Sequence, residues 1–303
     1  MAAEWQTKAK KYIRALEISG WNRTKALAKA QFLLSDVDVL GRRPLVEAAH
    51  KQGKKIFLYP HAARAMVQWD GEMRPYDHIA ASFVIAEGQA EVMRRYGYPH
   101  PLEISGWTYC YQRPFQPTRG MRVLFGPIHP NNNGWLSKLD QSINCRAFEI
   151  LYELAQAGEI ELTVRFLDIL ERNGLEERPG VRYICGRPDL SVAEIDAADI
   201  VVSTQTFLYL AVARGVPTVG IGEDVPFHYG NSDENFRFVA SWDKYGHLVA
   251  FPLDLLKADD PLALLRHAQE SDQDITEWRR LFIGQTFQPE AFVRTIDRYL
   301  EAA

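Results

Sequence analysis

Cysteine is scarce in this chain, with three in 303 residues. Cys110, Cys145 and Cys185 form no C-x-x-C pair and no metal-ligand spacing. That excludes a disulfide scaffold and a cysteine-built zinc site, and it suits a reducing compartment. Long apolar runs are also missing. None approaches the roughly 18 residues needed to span a bilayer, so no transmembrane segment is expected. The opening "MAAEWQTKAKKYIRALEISG" spaces its apolar residues instead of grouping them into a signal-peptide core, and a cytoplasmic protein is expected. Positive charge is not in excess: 35 Lys and Arg stand against 39 Asp and Glu, a formal charge of −4. This balance, without a basic stripe, argues against duplex nucleic acid or an anionic membrane as a partner. The Walker A loop, G-x-G-x-x-G and G-x-S-x-G are all absent, and with them the simplest signatures of phosphate-loop enzymes, dinucleotide enzymes and serine hydrolases.

The remaining composition is that of a soluble globular protein, 47% apolar and 24% charged, and 303 residues are enough for two domains. Trp5, Ala9, Tyr12, Ile13 and Leu16 recur at helical spacing. Strand-length apolar runs then alternate with helical patterns. "QFLLSD" is followed by "RPLVEAAHKQG", "KKIFLYP" by a polar loop, and "HIAASFVIAEG" by "QAEVMRRYG"; "PLEISGW" is a further short strand. Such alternation predicts a largely parallel sheet covered on both faces. The proline-rich, polar "YQRPFQPTRG" at 111–120 marks a domain boundary, giving domains 1–115 and 116–303. A second α/β run follows: strand "MRVLFGP", loop "IHPNNNG", a helix near 139–157, strands "IELTVRFL" and "VRYIC", and the short helix "VAEIDAA". "DIVVS", "VPTVGI" and "HLVAFP" read as strands, and the tail from Pro261 as helical.

The most informative stretch is Ile200 to Pro226, "IVVSTQTFLYLAVARGVPTVGIGEDVP". It reads as strand, hydroxyl-rich turn, helix, glycine stop, strand and acidic turn. Ser203, Thr204 and Thr206 gather at a helix N-terminus, where free amides and the dipole favour a phosphate. A second loop leaves the tip of a strand at "FGPIHPNNNG". Its His129 can donate to a diphosphate, and Asn131, Asn132 and Asn133 with Gly134 offer further amide donors. Arg165 and Arg187 lie near strand ends, where either can grip a phosphate in bidentate fashion or form an ion pair. Asp36-Val37-Asp38 has the look of a metal-binding D-x-D, but it comes too early in the chain and reads as turn chemistry. No metal site is expected.

Two α/β runs, a proline-rich linker and a late "S-x-x-T…A-x-x-x-G-x-P" signature together resemble the glycosyltransferases of the GT-B fold, over most of the chain from about residue 28. The resemblance implies α/β architecture with two Rossmann-like domains facing across a cleft, the first reduced at its N-terminus. It implies a metal-independent glycosyltransferase with a nucleotide-sugar as co-substrate and no other cofactor. The donor-binding region would be "ADIVVSTQTFLYLAVARGVPTVGIGEDVP". In it the Ser203, Thr204 and Thr206 turn would grip the diphosphate, and Glu223 and Asp224 would take hydrogen bonds from the sugar. "YICGRPD", residues 183–189, falls where relatives hold the nucleobase. His61, at a domain-one strand tip, would be the base for the acceptor hydroxyl, with Asp70 in "QWDGEM" as rival. The position that in many relatives carries a ribose-binding acid is Leu210 here. "YPHA" and "GPIHP" also resemble CDP-glycerol-type polymerases, and "HPNNNG" the histidine loop of nucleotide-sugar 2-epimerases. The 2-epimerase alternative lacks its Gly-Gly-Glu-Glu run, and a catalytically degenerate binding or assembly subunit is the other alternative. No motif names the sugar, the base, the acceptor or an oligomeric state.

Overall fold

The computed structural model describes residues 30–36, 39–59, 79–95, 98–107, 112–128, 134–167, 169–186, 191–222 and 251–302. These fall into two compact units, one of residues 1–106 and 287–303, the other of 107–286.

The first unit holds strands β1 (Phe32–Asp36), β2 (Lys55–Tyr59), β3 (Ile79–Val84) and β4 (Leu102–Ile104), all parallel and in that spatial order. Helices α1 (Val39–Lys51) and α2 (Glu87–Arg95) connect β1 to β2 and β3 to β4. When a strand order does not reverse, the right-handed crossover rule for parallel strands places the connecting helices on one face. The period of two then sorts the side chains. Leu33, Ile56 and Leu58 pack with Val46 and Ala49 of α1. Phe32, Leu34, Phe57, Tyr59 and Phe83 point the other way. What covers them is the final helix, α8 (Pro289–Glu301), through Phe292, Ile296, Tyr299 and Leu300, an i, i+4, i+7, i+8 stripe. Glu103 of β4 ties this helix down, accepting from Arg298 at 2.6 Å and from the Tyr299 hydroxyl at 2.7 Å. A single cut at 115/116 assigns α8 to the second unit; its apolar stripe places it in the first, because four sequential parallel strands cannot cover their own second face. Among the described residues, this sheet contains no point where the strand order reverses.

The second unit holds β5 (Arg122–Gly126), β6 (Glu161–Phe166), β7 (Arg182–Cys185), β8 (Ile200–Ser203) and β9 (Thr218–Gly220) in the order β7-β6-β5-β8-β9, all parallel. The order reverses between β5 and β8, as in a Rossmann-like sheet. The helices are α3 (Gly134–Gln156), α4 (Ser191–Ala197), α5 (Gln205–Ala213), α6 (Pro261–Glu270) and α7 (Thr276–Phe282). β8 is buried at all four residues, and α5 from Leu208 to Ala213 has only Leu210 short of full burial. That accounts for their near-continuous apolar sequences. "HLVAFP" falls largely outside the described residues; from Phe251 the described chain runs without a strand and makes two isolated parallel bridges, Gly220 to Asp254 and Trp107 to Thr286.

Residues 112–120, expected as a linker, lie against the second unit. Arg113 N–H donates to Ala213 O at 2.8 Å, Gln116 N–H to Gly215 O at 2.9 Å, and the Thr118 hydroxyl to Asp199 O at 2.8 Å. Gly215 ends α5 at φ 73°, and a Cβ there would lie 2.0 Å from Pro114 O. The "RGVP" stop is therefore both a left-handed helix cap and a seat for this segment. The prolines keep the segment extended; the hydrogen bonds fix it in place.

Candidate functional site

In an open parallel sheet, ligands gather at the carboxyl ends of the strands where the order reverses, because adjacent loops part there and leave a crevice. Here that place is the last rung of β5 and β8. Gly126 pairs with Ser203, and Ser203 with Gly220. The Ser203 hydroxyl donates across the rung to Gly126 O at 2.7 Å. Gly126 admits no side chain: a Cβ would lie 2.7 Å from Phe207 Cδ1 and 2.8 Å from Ser203 Oγ. Phe207 stands in the first turn of α5, so the bare glycine lets helix and strand close together beneath the crevice.

Thr204 occupies the N-cap of α5 with φ −146° and ψ 175° and makes no capping hydrogen bond through its side chain. The sequence signature and the element boundaries agree here. Ser203 and Thr204 are buried at the strand exit, and Thr206 is the second residue of the helix. The first-turn amides, with the positive end of the helix dipole, face the end of the sheet where β5 also terminates.

Arg165, near the end of β6, is 5% exposed. Its Nε donates to Glu194 Oε2 of α4 at 2.5 Å, its Nη2 donates to Gly186 O at 3.3 Å, and its guanidinium lies 5.2 Å from the Phe207 ring centroid. Glu194 is thus a partner among the described residues; Asp168 and Asp189, which the sequence also offers, lie outside them. A cation built in this way holds α4, the exit of β7 and the first turn of α5 together. Arg165 and Ser203 are thus brought to one end of one sheet, with Phe207 between Arg165 and Gly126.

The other candidates, His61, Asp70, His129, Asn131, Asn133, Arg187, Glu223 and Asp224, lie outside the described residues. The points from which their loops depart are described for three strands. After β5, the Ile128 amide donates to Asn144 Oδ1 at 2.7 Å, while Ile128 O accepts from Asn144 Nδ2 at 2.9 Å and from Asn173 Nδ2 at 2.7 Å. After β7, Gly186 is held by Arg165 and by its own amide on Phe166 O at 3.1 Å. After β9, the Gly222 amide donates to Asp254 Oδ1 at 3.1 Å, and the same oxygen accepts from Leu256 N–H at 3.0 Å. Each loop entrance is pinned by a buried polar side chain from elsewhere in the unit.

Of these anchors sequence reasoning singles out Arg165 and passes over Asn144, Asn173 and Asp254. Asn144 carried a signal: it falls on the stripe Asn144, Ala147, Phe148, Leu151 of α3, all buried, so a polar residue interrupts an apolar face. Asn173 and Asp254 carried none, since their partners lie 45 and 32 residues away. Leu210, at the position of the ribose-binding acid in the resemblance, packs with Leu124, Ile195, Val201 and Ala211 and belongs to the core.

Among the described residues no cluster of His, Cys, Asp or Glu could hold a metal ion, and no helix is long and apolar enough to cross a membrane. No family model matches the chain, and no curated protein matches it. Among solved structures it is similar to a chain in a crystal structure of a GtfA/B complex, with 12% identity and a TM-score of 0.43. The match covers 85% of this chain, which spans only 56% of that one.

Proposed function

We propose that the protein is a metal-independent glycosyltransferase that takes its sugar from a nucleotide-activated donor. The observation that carries the reading is the β8–Thr204–α5 turn at the point where the strand order of the second sheet reverses. Its helix terminus is offered to a ligand, and Ser203 is tied to Gly126 below it. A diphosphate leaving group develops negative charge as the glycosidic bond breaks. Preorganised neutral donors stabilise that charge without a metal. The first-turn amides of α5, the hydroxyls of Thr204 and Thr206, and His129 with Asn131 and Asn133 supply those donors. Arg165 supports the first turn through Phe207, and Arg187 is the candidate for direct contact with phosphate. Glu223 and Asp224 take the sugar hydroxyls. His61, with Asp70 as rival, takes the acceptor proton.

Leu210 favours a second reading, a glycosyltransferase-like fold kept as a binding subunit. A core leucine in place of an acid removes one expected contact to the ribose. A thermal-shift series with UDP, GDP, CDP and dTDP and their sugars separates the two. Selective binding of the native state raises the melting temperature by mass action. An enzyme responds more strongly to one nucleotide-sugar than to its nucleotide, and replacing both Glu223 and Asp224 by Ala removes that increment only. No response to any nucleotide or nucleotide-sugar contradicts the proposed function.

A further inference from the structure

We infer that Asn144 and Asn173 are positioning residues that fix where and in which direction the chain leaves β5 for His129. The consequence of this for ligand binding rests on the nucleotide-donor reading above.

Ile128 is the last described residue before that loop and is 1% exposed. Both its backbone polar groups are claimed by side chains rather than by the sheet. Asn144 takes the amide and donates to the carbonyl in one two-point contact, which a planar carboxamide makes as a backbone strand would. Asn173 adds a second donor to the same carbonyl. The two asparagines are themselves joined, since Asn144 Nδ2 also donates to Asn173 O at 3.0 Å. Asn173 ends the 3₁₀ turn Leu170–Asn173, which Gly174 closes at φ 76°. Helix α3, the turn after β6 and the exit of β5 are therefore locked at one residue, through the peptides on both sides of it.

A network that served stability alone would satisfy all of its members, because a buried acceptor left without a donor is costly. Asn173 is 1% exposed, and its Oδ1 has no hydrogen-bond partner among the described residues. The residue contributes one useful donor and buries an oxygen at a loss. That exchange is reasonable where the placement of Ile128 matters more than local stability, as at a site whose donor groups must already be aimed at a ligand.

The distinguishing variant is Asn173→Leu. It removes the donor and the unsatisfied acceptor together and leaves both Asn144 contacts to Ile128 intact. A purely structural role predicts a changed unfolding midpoint and unchanged behaviour of the loop. The positioning role predicts a midpoint close to the parent, with amide hydrogen exchange across residues 127–134 faster by about tenfold and residues 122–126 unaffected. Calorimetric titration with UDP, GDP, CDP and dTDP then shows affinity for the preferred nucleotide weakened by about tenfold. Unchanged exchange at 127–134 in the folded variant overturns the inference, whatever the ligand. So does unchanged affinity in a variant whose parent binds. Altered exchange in a protein whose parent binds no nucleotide supports the positioning role and overturns the donor reading.

Discussion

Gly126→Ala is the most informative single change. The new methyl would meet Phe207 Cδ1 at 2.7 Å and Ser203 Oγ at 2.8 Å. Both fall below the distance that a real Cβ tolerates, so both neighbours must move. Phe207 is held under Arg165, and Arg165 is held by Glu194 and Gly186, so displacing the ring strains three elements. Overpacking of this kind costs about 1–3 kcal/mol. Turning Ser203 aside forfeits its hydrogen bond to Gly126 O, about 1 kcal/mol more. The sum is a loss of about 2–4 kcal/mol, read as a lower midpoint in urea with an unchanged slope. The structure also predicts non-additivity. Ser203→Ala alone loses only the hydrogen bond, while in the double variant one of the two clashing atoms has gone. Gly126→Ala with Ser203→Ala should therefore fall short of the sum of the single effects by about 1 kcal/mol. Gly126→Ala with parental stability, or strict additivity in the double variant, refutes the packing of β5, β8 and α5 described above.

Three further outcomes are expected. Ile296→Ala opens a cavity between α8 and the first sheet and should cost about 3 kcal/mol, measured by chemical denaturation, although it lies in the last fifteen residues of the chain. The hydrogen bond from the Arg122 side chain holds the Asp199 carboxyl below its ordinary value of 3.8, with a further bond from the Arg122 amide. A lowered folded-state pKa stabilises the native state above the ordinary value, and this stabilisation is lost as pH falls through it toward the folded value. Asp199→Asn should thus be weaker than the parent by on the order of 1 kcal/mol at pH 7, the gap closing below about pH 4 in paired urea titrations. His129→Ala should lower turnover about a hundredfold with a smaller loss of nucleotide affinity, as for removal of one preorganised donor; unchanged turnover in a folded variant excludes it from the chemistry.

How much was legible in the sequence depended on the range of the interaction. Strands β5 and β8 and helix α5 followed from "MRVLFGP" and "IVVSTQTFLYLAVARG" because period, cap and glycine stop are local signals. The place of α8 was not legible, although its helical character was, because a helix says only that one face needs cover and not which sheet supplies it. The proline-rich run at 111–120 looked like a linker on composition alone. Its backbone bonds to Ala213 and Gly215 depend on partners about a hundred residues away. At the candidate site, the hydroxyl turn was readable and its supports were not. Phe207 and Gly126 are ordinary residues in sequence, and only their approach within van der Waals distance makes the glycine necessary. Glu194 becomes a partner of Arg165 across 29 residues because α4 returns it to the end of β6.

The central claim is that the crevice at the ends of β5 and β8 receives the diphosphate of a nucleotide. Hydrogen-exchange mass spectrometry of the whole chain, with and without UDP, GDP, CDP and dTDP at saturating concentration, tests it most directly. The account predicts that one of these protects the peptides spanning 126–134 and 203–210 together, leaving the strands of the first sheet unchanged. Protection confined to other segments, or none with any of the four nucleotides, would contradict it.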